Sequence, residues 1–393
     1  MTYLQTERLL ALDAALTETA WLWRPMPFKE ARPQWCHDAP ALAQACLALD
    51  DDAVDQLTRD GAAAWSFVSH WVPGPPDMPA LCRVDAVEAP ALKQLGPHIR
   101  CDIPGRKWEQ IEAFARALGV FDIKGVEWCG GKGHLGRVVA AASGQAVHTL
   151  EHDAELCEAG RGLARKAGVA QEFETRDVLS LVGLEAYGRH GVMALHACGD
   201  LHRKLVELAE PDSSTRLHLS PCCYHLSAQS EYHACLPAAR LVLSREDRRL
   251  AVTDTATSSA RELRLRDREM AWKLGYVCLR EDVLGSAAYA PIKPIPKAWL
   301  GGSFESFCRA LAARDGLPVV SVSQWDRYEQ AGYRRQREVM RLSVVRLAFR
   351  RALELWLVFD LALRLEAKGY DVAVNTFCEP SVTPRNILIS ATS

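Results

Sequence analysis

Two polar segments, LHACGDLH and SPCCYH, each follow a short apolar run and carry side chains suited to chemistry. The first segment contains His196 and Asp200, whose imidazole and carboxylate can act as bases toward a hydroxyl or a ring nitrogen. The second contains Cys222, Cys223 and His225, which offer thiols and another imidazole. We therefore predict that these residues form the catalytic part of a site.

The cysteines are open to more than one interpretation. A thiolate of the second segment could add to a pyrimidine ring, although no matching Pro-Cys pair follows the preceding apolar run. Cys198, Cys222, Cys223 and His225 are also soft ligands suited to zinc. Because Cys222 and Cys223 are adjacent instead of following C-x-x-C spacing, we predict no metal site. A purely structural role, as small buried residues at strand ends, is the remaining alternative.

The apolar runs predict the elements that position these side chains. Residues 191–195 read as a parallel strand buried on both faces, and residues 217–219 read as the next strand. Carboxyl ends of parallel strands lie at one edge of a sheet, and ligands of open α/β sheets bind at that edge. The two polar segments are therefore expected to converge there.

A glycine-rich segment earlier in the chain, GVEWCGGKGHLGR, predicts a strand, a tight turn and a helix. Gly131, Gly133 and Gly136 fit G-x-G-x-x-G, and Glu151 follows at the end of a second strand over residues 147–150. Backbone N–H groups at such a helix start can approach a polar ligand, and Glu151 can accept both ribose hydroxyls of a nucleoside. The segment predicts a nucleoside-cofactor pocket.

Further acidic residues favour S-adenosylmethionine (SAM) as the cofactor over a nicotinamide or a flavin. Glu127 lies inside the first strand, and Asp177 follows a third strand, where it can hydrogen-bond an adenine amino group or cap a helix. Lys107 lies in the first turn of a helix over residues 103–119 and can reach the cofactor's carboxylate or remain solvated. A glycine turn without any ligand is the remaining alternative. The predicted cofactor-binding residues are Lys107, Glu127, Cys129, Gly130, Gly131, Gly133, Glu151, His152, Asp177, Val178, His196, Cys198 and Gly199.

The composition is that of an ordinary globular protein: of the 393 residues, 49% are hydrophobic and 24% are charged. No apolar run of about 18 residues and no basic leader with an apolar core occurs, so we expect a cytoplasmic protein without a membrane segment. The 13 cysteines are odd in number and scattered, which favours reduced thiols over disulfides.

Charge is unevenly distributed, although the net charge is only −2. Residues 231–351 hold 22 Lys and Arg against 14 Asp and Glu. Such a basic half can bind RNA through its phosphates, but a solvated helix face explains it equally well. The two arginine clusters are Arg245, Arg248, Arg249, Arg261, Arg264, Arg266 and Arg268, and Arg334, Arg335, Arg337, Arg341, Arg346, Arg350 and Arg351.

The periodicity predicts four regions. Residues 1–95 form a helical, tryptophan-rich region; 96–227 the cofactor-binding core; 228–335 a basic insertion; and 336–393 a helix and a closing hairpin of strands 370–377 and 386–390. A hairpin after a five-stranded βα series is typical of the class I methyltransferase sheet, whose last strand inserts antiparallel. The predicted fold is α/β, with a Rossmann-like seven-stranded sheet.

Together, Lys107, VEWCGGKGHLGR, Glu151, LHACGDLH, SPCCYH and TPRNILI resemble a methyltransferase-domain family. Its relatives include the eukaryotic tRNA 2′-O-methyltransferases with a Cys-Cys-Cys-His-His motif and a methyltransferase-like domain joined to a glutathione-transferase C-terminal module. The resemblance covers about residues 100–226 and 335–391. This chain has only Cys222, Cys223 and His225 in the paired-cysteine loop, and it has no zinc-finger module of the kind found in the tRNA enzymes.

The resemblance implies roles for individual residues. Glu127, Gly131 and Gly133 would line the methionine end of SAM, Glu151 would bind the ribose, and Asp177 the adenine. Residues 196–200 would form the floor beside the methyl group, and the paired cysteines would face the substrate. We therefore expect a SAM-dependent methyltransferase acting on RNA. A protein or small-molecule methyltransferase, a degenerate fold that only binds, and a nicotinamide oxidoreductase are the alternatives.

Overall fold

The computed structural model describes residues 2–89, 91–92, 95–119, 121–253, 259–284, 292–316 and 324–393. The chain divides into two compact units: unit 1 is Met1–Glu18, Pro76–Thr257 and Arg350–Ser393, and unit 2 is Thr19–Pro75 and Ser258–Phe349. The predicted boundaries at 95, 227 and 335 do not coincide with these units. No helix among the described residues is long and apolar enough to span a membrane.

The α-helices are numbered in chain order. They are α1 (Thr2–Glu18), α2 (Ala20–Trp23), α3 (Trp35–Asp38), α4 (Pro40–Ala48), α5 (Asp51–Arg59), α6 (Gly61–Ser69), α7 (Met78–Leu81), α8 (Gly105–Ala117), α9 (His134–Ser143), α10 (Ala154–Ala167), α11 (Asp200–Leu208), α12 (Arg245–Leu250), α13 (Ala260–Leu284), α14 (Phe304–Arg314), α15 (Trp325–Leu347) and α16 (Arg350–Glu366). Short 3₁₀ helices cover Pro97–Arg100, Val178–Ser180, Glu185–Tyr187 and Lys297–Gly301.

The strands of unit 1 form two sheets. They are β1 (Gly125–Trp128), β2 (Val147–Glu151), β3 (Gln171–Thr175), β4 (His190–Cys198), β5 (Ser214–Cys222), β6 (Glu231–His233), β7 (Val242–Ser244), β8 (Asp371–Thr376) and β9 (Ile387–Thr392). The large sheet has seven strands in the order β3-β2-β1-β4-β5-β9-β8, and β6 pairs with β7 in a separate hairpin.

The large sheet has the class I methyltransferase arrangement that the sequence predicts. Strands β1 to β5 pair in parallel, whereas β9 lies between β5 and β8 and is antiparallel to both. Residues of α8 and α9 pack against the sheet around Phe114, Val138 and Met193, all fully buried. The prediction of a Rossmann-like seven-stranded sheet is confirmed.

Helix α16 explains why the first helix belongs to unit 1. Leu9, Leu12 and Leu16 of α1 are fully buried, as are Trp356 and Phe359 of α16, and the two helices pack along each other. The carboxylate of Asp13 accepts a hydrogen bond from Trp356 Nε1 at 3.1 Å. The single helix predicted before the closing hairpin corresponds to two helices, α15 and α16, which belong to different units.

Unit 2 is helical and is centred on the long helices α13 and α15. Gly332 and Gly275 allow close packing, because a Cβ at Gly332 would lie 2.2 Å from the carbonyl oxygen of Ala271. Helices α2, α4, α5 and α6 pack against α15. Trp23, Trp35 and Trp65 of this unit are buried and belong to its core, whereas Trp21 and Trp71 are exposed.

Candidate active site

The glycine turn between β1 and α9 packs unusually close to the sheet. A Cβ at Gly133 would lie 2.3 Å from Gln171 Nε2, and one at Gly136 would lie 2.5 Å from Glu127 Oε2. Gly133 also has a φ of 64°, which favours glycine. By contrast, a Cβ at Gly131 would meet no described atom within 4 Å, and the φ there is 59°. The turn is therefore tight toward the sheet and open at Gly131.

Glu151, at the carboxyl end of β2, is bonded directly to this turn. Its Oε2 accepts a hydrogen bond from the Gly131 N–H at 2.9 Å, and its Oε1 accepts one from the Asp153 N–H at 3.1 Å. His152 Nδ1 lies 3.0 Å from the same Oε1, with its side chain exposed. A carboxylate has about four acceptor positions, so Glu151 keeps capacity for further hydroxyl donors.

Glu127 lies beneath the turn in a buried polar network. Its Oε2 accepts hydrogen bonds from Thr149 Oγ1 at 2.8 Å and from Gln171 Nε2 at 3.3 Å. Burial raises the pKa of Glu127 to about 7, against the opposing effect of the Thr149 hydrogen bond. These contacts hold β1, β2 and β3 to the glycine turn, and a direct contact with the methionine end of a cofactor stays a prediction.

The raised pKa predicts how Glu127 affects stability with pH. The folded chain binds this proton more tightly than the unfolded chain, so the stability contributed at low pH is lost as pH rises from about 4.5 to about 7. Glu127→Gln removes this titration. We expect its free energy of unfolding, relative to the wild type, to improve by up to ~3 kcal/mol across that window. Urea unfolding at about pH 5 and about pH 8 measures the change, and a pH-independent difference would contradict it.

Two predicted cofactor-binding residues follow β3: Asp177, predicted to contact the adenine, and Val178. Asp177 is exposed, and its carboxylate caps the short helix that follows by accepting a hydrogen bond from the Leu179 N–H at 3.0 Å. Val178 is buried. Both roles considered for Asp177 remain compatible with this geometry, since one carboxylate can cap a turn and accept another donor.

His196 lies at an irregularity within β4, not after its end. The register between β4 and β5 shifts between Leu195 and Ala197, and His196 has a φ of 65°. A bulge of this kind re-aims a side chain, and strained backbone of this type clusters at functional sites. His196 Nδ1 is buried without a hydrogen-bond partner among the residues that the structure describes. Burial, together with the charges of Lys107 and Arg385, lowers the pKa of His196 to about 4, so the imidazole is neutral.

The three cysteines of the two polar segments come together. Cys198, Cys222 and Cys223 have their sulfur atoms within 4.8 Å of one another, and Cys198 Sγ lies 3.0 Å from Cys222 Sγ. Hydrogen bonds from the Cys198 and Cys222 thiols lower the pKa of Cys223. Neighbouring thiols therefore stabilise a thiolate within the cluster, which is the form in which a cysteine reacts.

The remaining predicted residues fix the two segments to each other. Gly199 N–H donates to the Cys222 carbonyl at 3.0 Å, and Asp200 Oδ2 accepts a hydrogen bond from the Ala228 N–H at 2.7 Å. Asp200 thus positions the segment after β5, while a role as base stays a prediction. Burial lowers the pKa of His225, and its Nδ1 has no partner among the described residues.

The expected convergence at one sheet edge is seen in the electrostatic contacts of Cys129 and Lys107. Burial raises the pKa of Cys129 to about 12, and the charges of Glu151, Cys198 and Asp177 act in the same direction. Burial lowers the pKa of Lys107, and the charges of Glu127 and Cys222 act in the opposite direction. Cys129 has a φ of 54°, a further strained residue in the turn that also contains Gly130.

One basic residue of the site, Arg385, was not predicted. It lies in the connection between β8 and β9, donates to the Val252 carbonyl, and acts electrostatically on His196, Cys198 and Cys223. The TPRNILI segment contains it, but only the insertion of β9 beside β5 brings that segment to the polar edge. Arg385 and Lys107 together supply positive charge around the thiol cluster.

Residues 106–230 match the family model of a methyltransferase domain (Methyltransf_32). The solved structure of the 23S rRNA methyltransferase ErmE is 14% identical, with a TM-score of 0.26 over 59% of this chain and 97% of that one. A mutant of MtNAS in complex with S-adenosylmethionine is 13% identical, with a TM-score of 0.23 over 54% of this chain and 98% of that one. A comparison with curated protein sequences gives no match.

The matched residues coincide with the part of unit 1 that holds the candidate site. They begin at the first turn of α8, include β1 to β5, and end just beyond the paired cysteines. The strand order of the large sheet agrees with the family match, whereas the TM-scores to the solved structures are too low to add to it. The family match and the strand order support a class I methyltransferase domain in this chain.

Proposed function

We propose that this protein is a SAM-dependent methyltransferase that modifies RNA. The observation that carries the proposal is the hydrogen bond from the Gly131 N–H to Glu151, next to the polar ends of β4 and β5. This arrangement joins a glycine turn, a carboxylate suited to ribose and a set of reactive side chains at one edge of the sheet. Each of these features is what methyl transfer from a nucleoside cofactor requires.

The residues present fit SAM on grounds of shape and polarity. The space beside Gly131 is open, because a Cβ there would meet no described atom within 4 Å, and a cofactor can occupy it. Glu151 keeps acceptor capacity for ribose hydroxyls. Lys107 is half-buried within electrostatic range of Glu127 and can neutralise a carboxylate at the methionine end. When bound, SAM supplies an electrophilic methyl group.

His196 is the residue best placed to orient the methyl acceptor. Its neutral imidazole has a buried Nδ1 that lacks a partner among the described residues, so it can accept a hydrogen bond from a hydroxyl or ring N–H. Because Lys107 and Arg385 oppose protonation of His196, the imidazole passes the acceptor's proton on to solvent after the methyl group has transferred. Correct orientation of two reactants can supply roughly 7 to 11 kcal/mol of a barrier, which makes positioning the main contribution of this residue.

RNA is the proposed acceptor because exposed arginines lie near the paired-cysteine loop. Arg245 and Arg249 are exposed and act electrostatically on His225, and Arg245 also donates to the Ser227 carbonyl at 2.9 Å. Arg248 is fully buried and donates to the carbonyls of Gln229 and Ser230, so its role is structural. Phosphates of RNA are the polyanion that such exposed arginines attract.

Most arginines of the second cluster have partners within their own unit. Arg335 donates to the Pro27 carbonyl at 2.6 Å, Arg341 to the Leu49 carbonyl at 2.7 Å, and Arg346 to the Trp23 carbonyl at 3.2 Å. Arg334 and Arg337 are exposed. The RNA proposal therefore depends on the exposed arginines of unit 1 more than on this cluster.

Ligand titration followed by methyl transfer tests the proposal. The purified full chain is titrated by calorimetry with SAM, S-adenosylhomocysteine and NAD, and then incubated with labelled SAM and either total RNA or a protein extract. We expect both adenosyl ligands to bind and the label to appear in ribonuclease-sensitive material. Label confined to protein would establish the rival acceptor, and binding of NAD alone would overturn the methyltransferase assignment.

Arg249→Ala is expected to weaken RNA binding without changing the affinity for SAM. Loss of one phosphate contact reduces the magnitude of the negative slope of log K against log salt by about 0.7 to 0.9. Arg165→Ala is the matched control, because Arg165 is an exposed arginine on α10 that pairs with Glu158. Filter binding at several salt concentrations measures both slopes, and equal slopes for the two variants would contradict a phosphate contact at Arg249.

A further inference from the structure

We propose that Cys198, Cys222 and Cys223 bind a zinc ion, with one coordination position left for a non-protein ligand. The proposal rests on the geometry of the thiol cluster and is independent of the identity of the methyl acceptor. Three protein ligands with an open fourth position are the arrangement of catalytic zinc sites, in contrast to the closed four-ligand structural sites.

The distances between the sulfur atoms suit a single ion. Tetrahedral zinc with Zn–S bonds of about 2.3 Å places its sulfur ligands roughly 3.8 Å apart. All three sulfur atoms of the cluster lie within 4.8 Å of one another, and the shortest separation is 3.0 Å between Cys198 and Cys222. Movements of about 1 Å or less, within the range of a side-chain adjustment, are enough to reach the bound geometry.

The backbone conformation explains how adjacent cysteines can share an ion. The missing C-x-x-C spacing is the reason why the sequence predicts no metal site. In addition, successive side chains of a strand point to opposite faces, which would separate the thiols of adjacent cysteines. Cys222 is the last residue of β5, however, and Cys223 follows it with a φ of 47°. This left-handed conformation reverses the usual alternation, so both sulfur atoms lie on the side of Cys198. A non-glycine residue is strained in this conformation, and a bound ion can offset that strain.

The surrounding charge suits a thiolate-bound ion. Three thiolates and Zn²⁺ carry a net charge of about −1, and the thiol protons pass to solvent when the ion binds. Arg385 acts electrostatically on Cys198 and Cys223, and Lys107 acts on Cys222, so two cations are close enough to balance that charge. Among the described residues, no further His, Cys, Asp or Glu belongs to the cluster, which leaves the fourth position to water or an acceptor atom.

Metal content of the full chain tests the proposal. The protein is reduced and then stripped of metal with a chelator under anaerobic conditions. It is incubated with Zn²⁺ alone and dialysed, and its zinc content is measured by mass spectrometry. We expect about one ion per chain, and Co²⁺ in its place should give thiolate-to-metal charge-transfer absorption in the near ultraviolet. Because neither SAM nor RNA is present, zinc binding and methyl transfer are tested independently. The protein can lack zinc and still transfer methyl groups, or bind zinc and transfer none.

Matched variants identify the ligands. Cys198→Ser and Cys223→Ser remove thiols that are only partly buried, so both variants are expected to fold, which circular dichroism checks, and to lose stoichiometric zinc. Cys235→Ser is the control, since Cys235 is exposed and lies outside the cluster, and it should retain the ion. Full zinc retention by folded Cys223→Ser, no zinc in the wild type, or recovery of a Cys198–Cys222 disulfide in place of zinc would each overturn the proposal.

Discussion

Glu151→Ala is expected to weaken SAM binding by at least ~100-fold. A hydrogen bond to a charged group contributes about 1.5 to 3 kcal/mol, and the proposed pocket has the Glu151 carboxylate accept both ribose hydroxyls. Loss of two such bonds costs roughly 3 to 6 kcal/mol, and each 1.4 kcal/mol is a tenfold change in Kd. Isothermal titration calorimetry of the variant with SAM and S-adenosylhomocysteine measures the change.

The variant must be separated from a general loss of structure, because Glu151 also accepts hydrogen bonds from the Gly131 and Asp153 N–H groups. Glu151→Gln keeps the shape and one acceptor oxygen, and it should show an intermediate Kd. Glu155→Ala is the matched control: Glu155 is an exposed carboxylate in the first turn of α10, so its loss should leave the Kd unchanged. A folded Glu151→Ala with wild-type affinity would place the ribose elsewhere.

The β-α-β unit and its glycine turn were accessible from the sequence because their signals are local. A short apolar run, glycines at fixed spacing and an acidic residue after the next strand predict β1, α9 and β2, and the predicted second strand, 147–150, ends one residue before β2 does. The ends of β4 and β5 were not accessible. Both strands continue through the polar segments, because Ala197 still pairs with Pro221 and Cys198 with Cys222 after the irregularity at His196.

Long-range contacts account for the rest of what sequence patterns missed. Arg385 reaches the site only because β9 inserts between β5 and β8, from a segment far along the chain. The second unit combines helices from residues 19–75 with helices from residues 258–349, and no local signal marks which helices will pack together. The closeness of the Cys222 and Cys223 thiols was not accessible for a related reason: the φ of Cys223 is set by the surrounding fold.

Gly199→Ala is expected to destabilise the protein by roughly 2 to 6 kcal/mol. A Cβ at this position would lie 1.7 Å from the carbonyl oxygen of Leu226, and main-chain atoms cannot move aside as a side chain can. Gly199 also has φ 57° and ψ −123°, a conformation that other residues adopt only at a cost of order 1 to 3 kcal/mol. Overpacking adds typically 1 to 3 kcal/mol.

Gly188→Ala separates the two contributions. Gly188 has a similar conformation, φ 68° and ψ −155°, but a Cβ there would meet no described atom within 4 Å. Gly188→Ala should therefore lower the free energy of unfolding only by the backbone strain, about 1 to 3 kcal/mol. The additional loss in Gly199→Ala measures the energetic cost of separating the segments after β4 and β5. Urea unfolding gives both values. Equal destabilisation by the two variants would mean that the two segments separate readily in solution. The Gly199 N–H bond to the Cys222 carbonyl would then not hold the thiol cluster together.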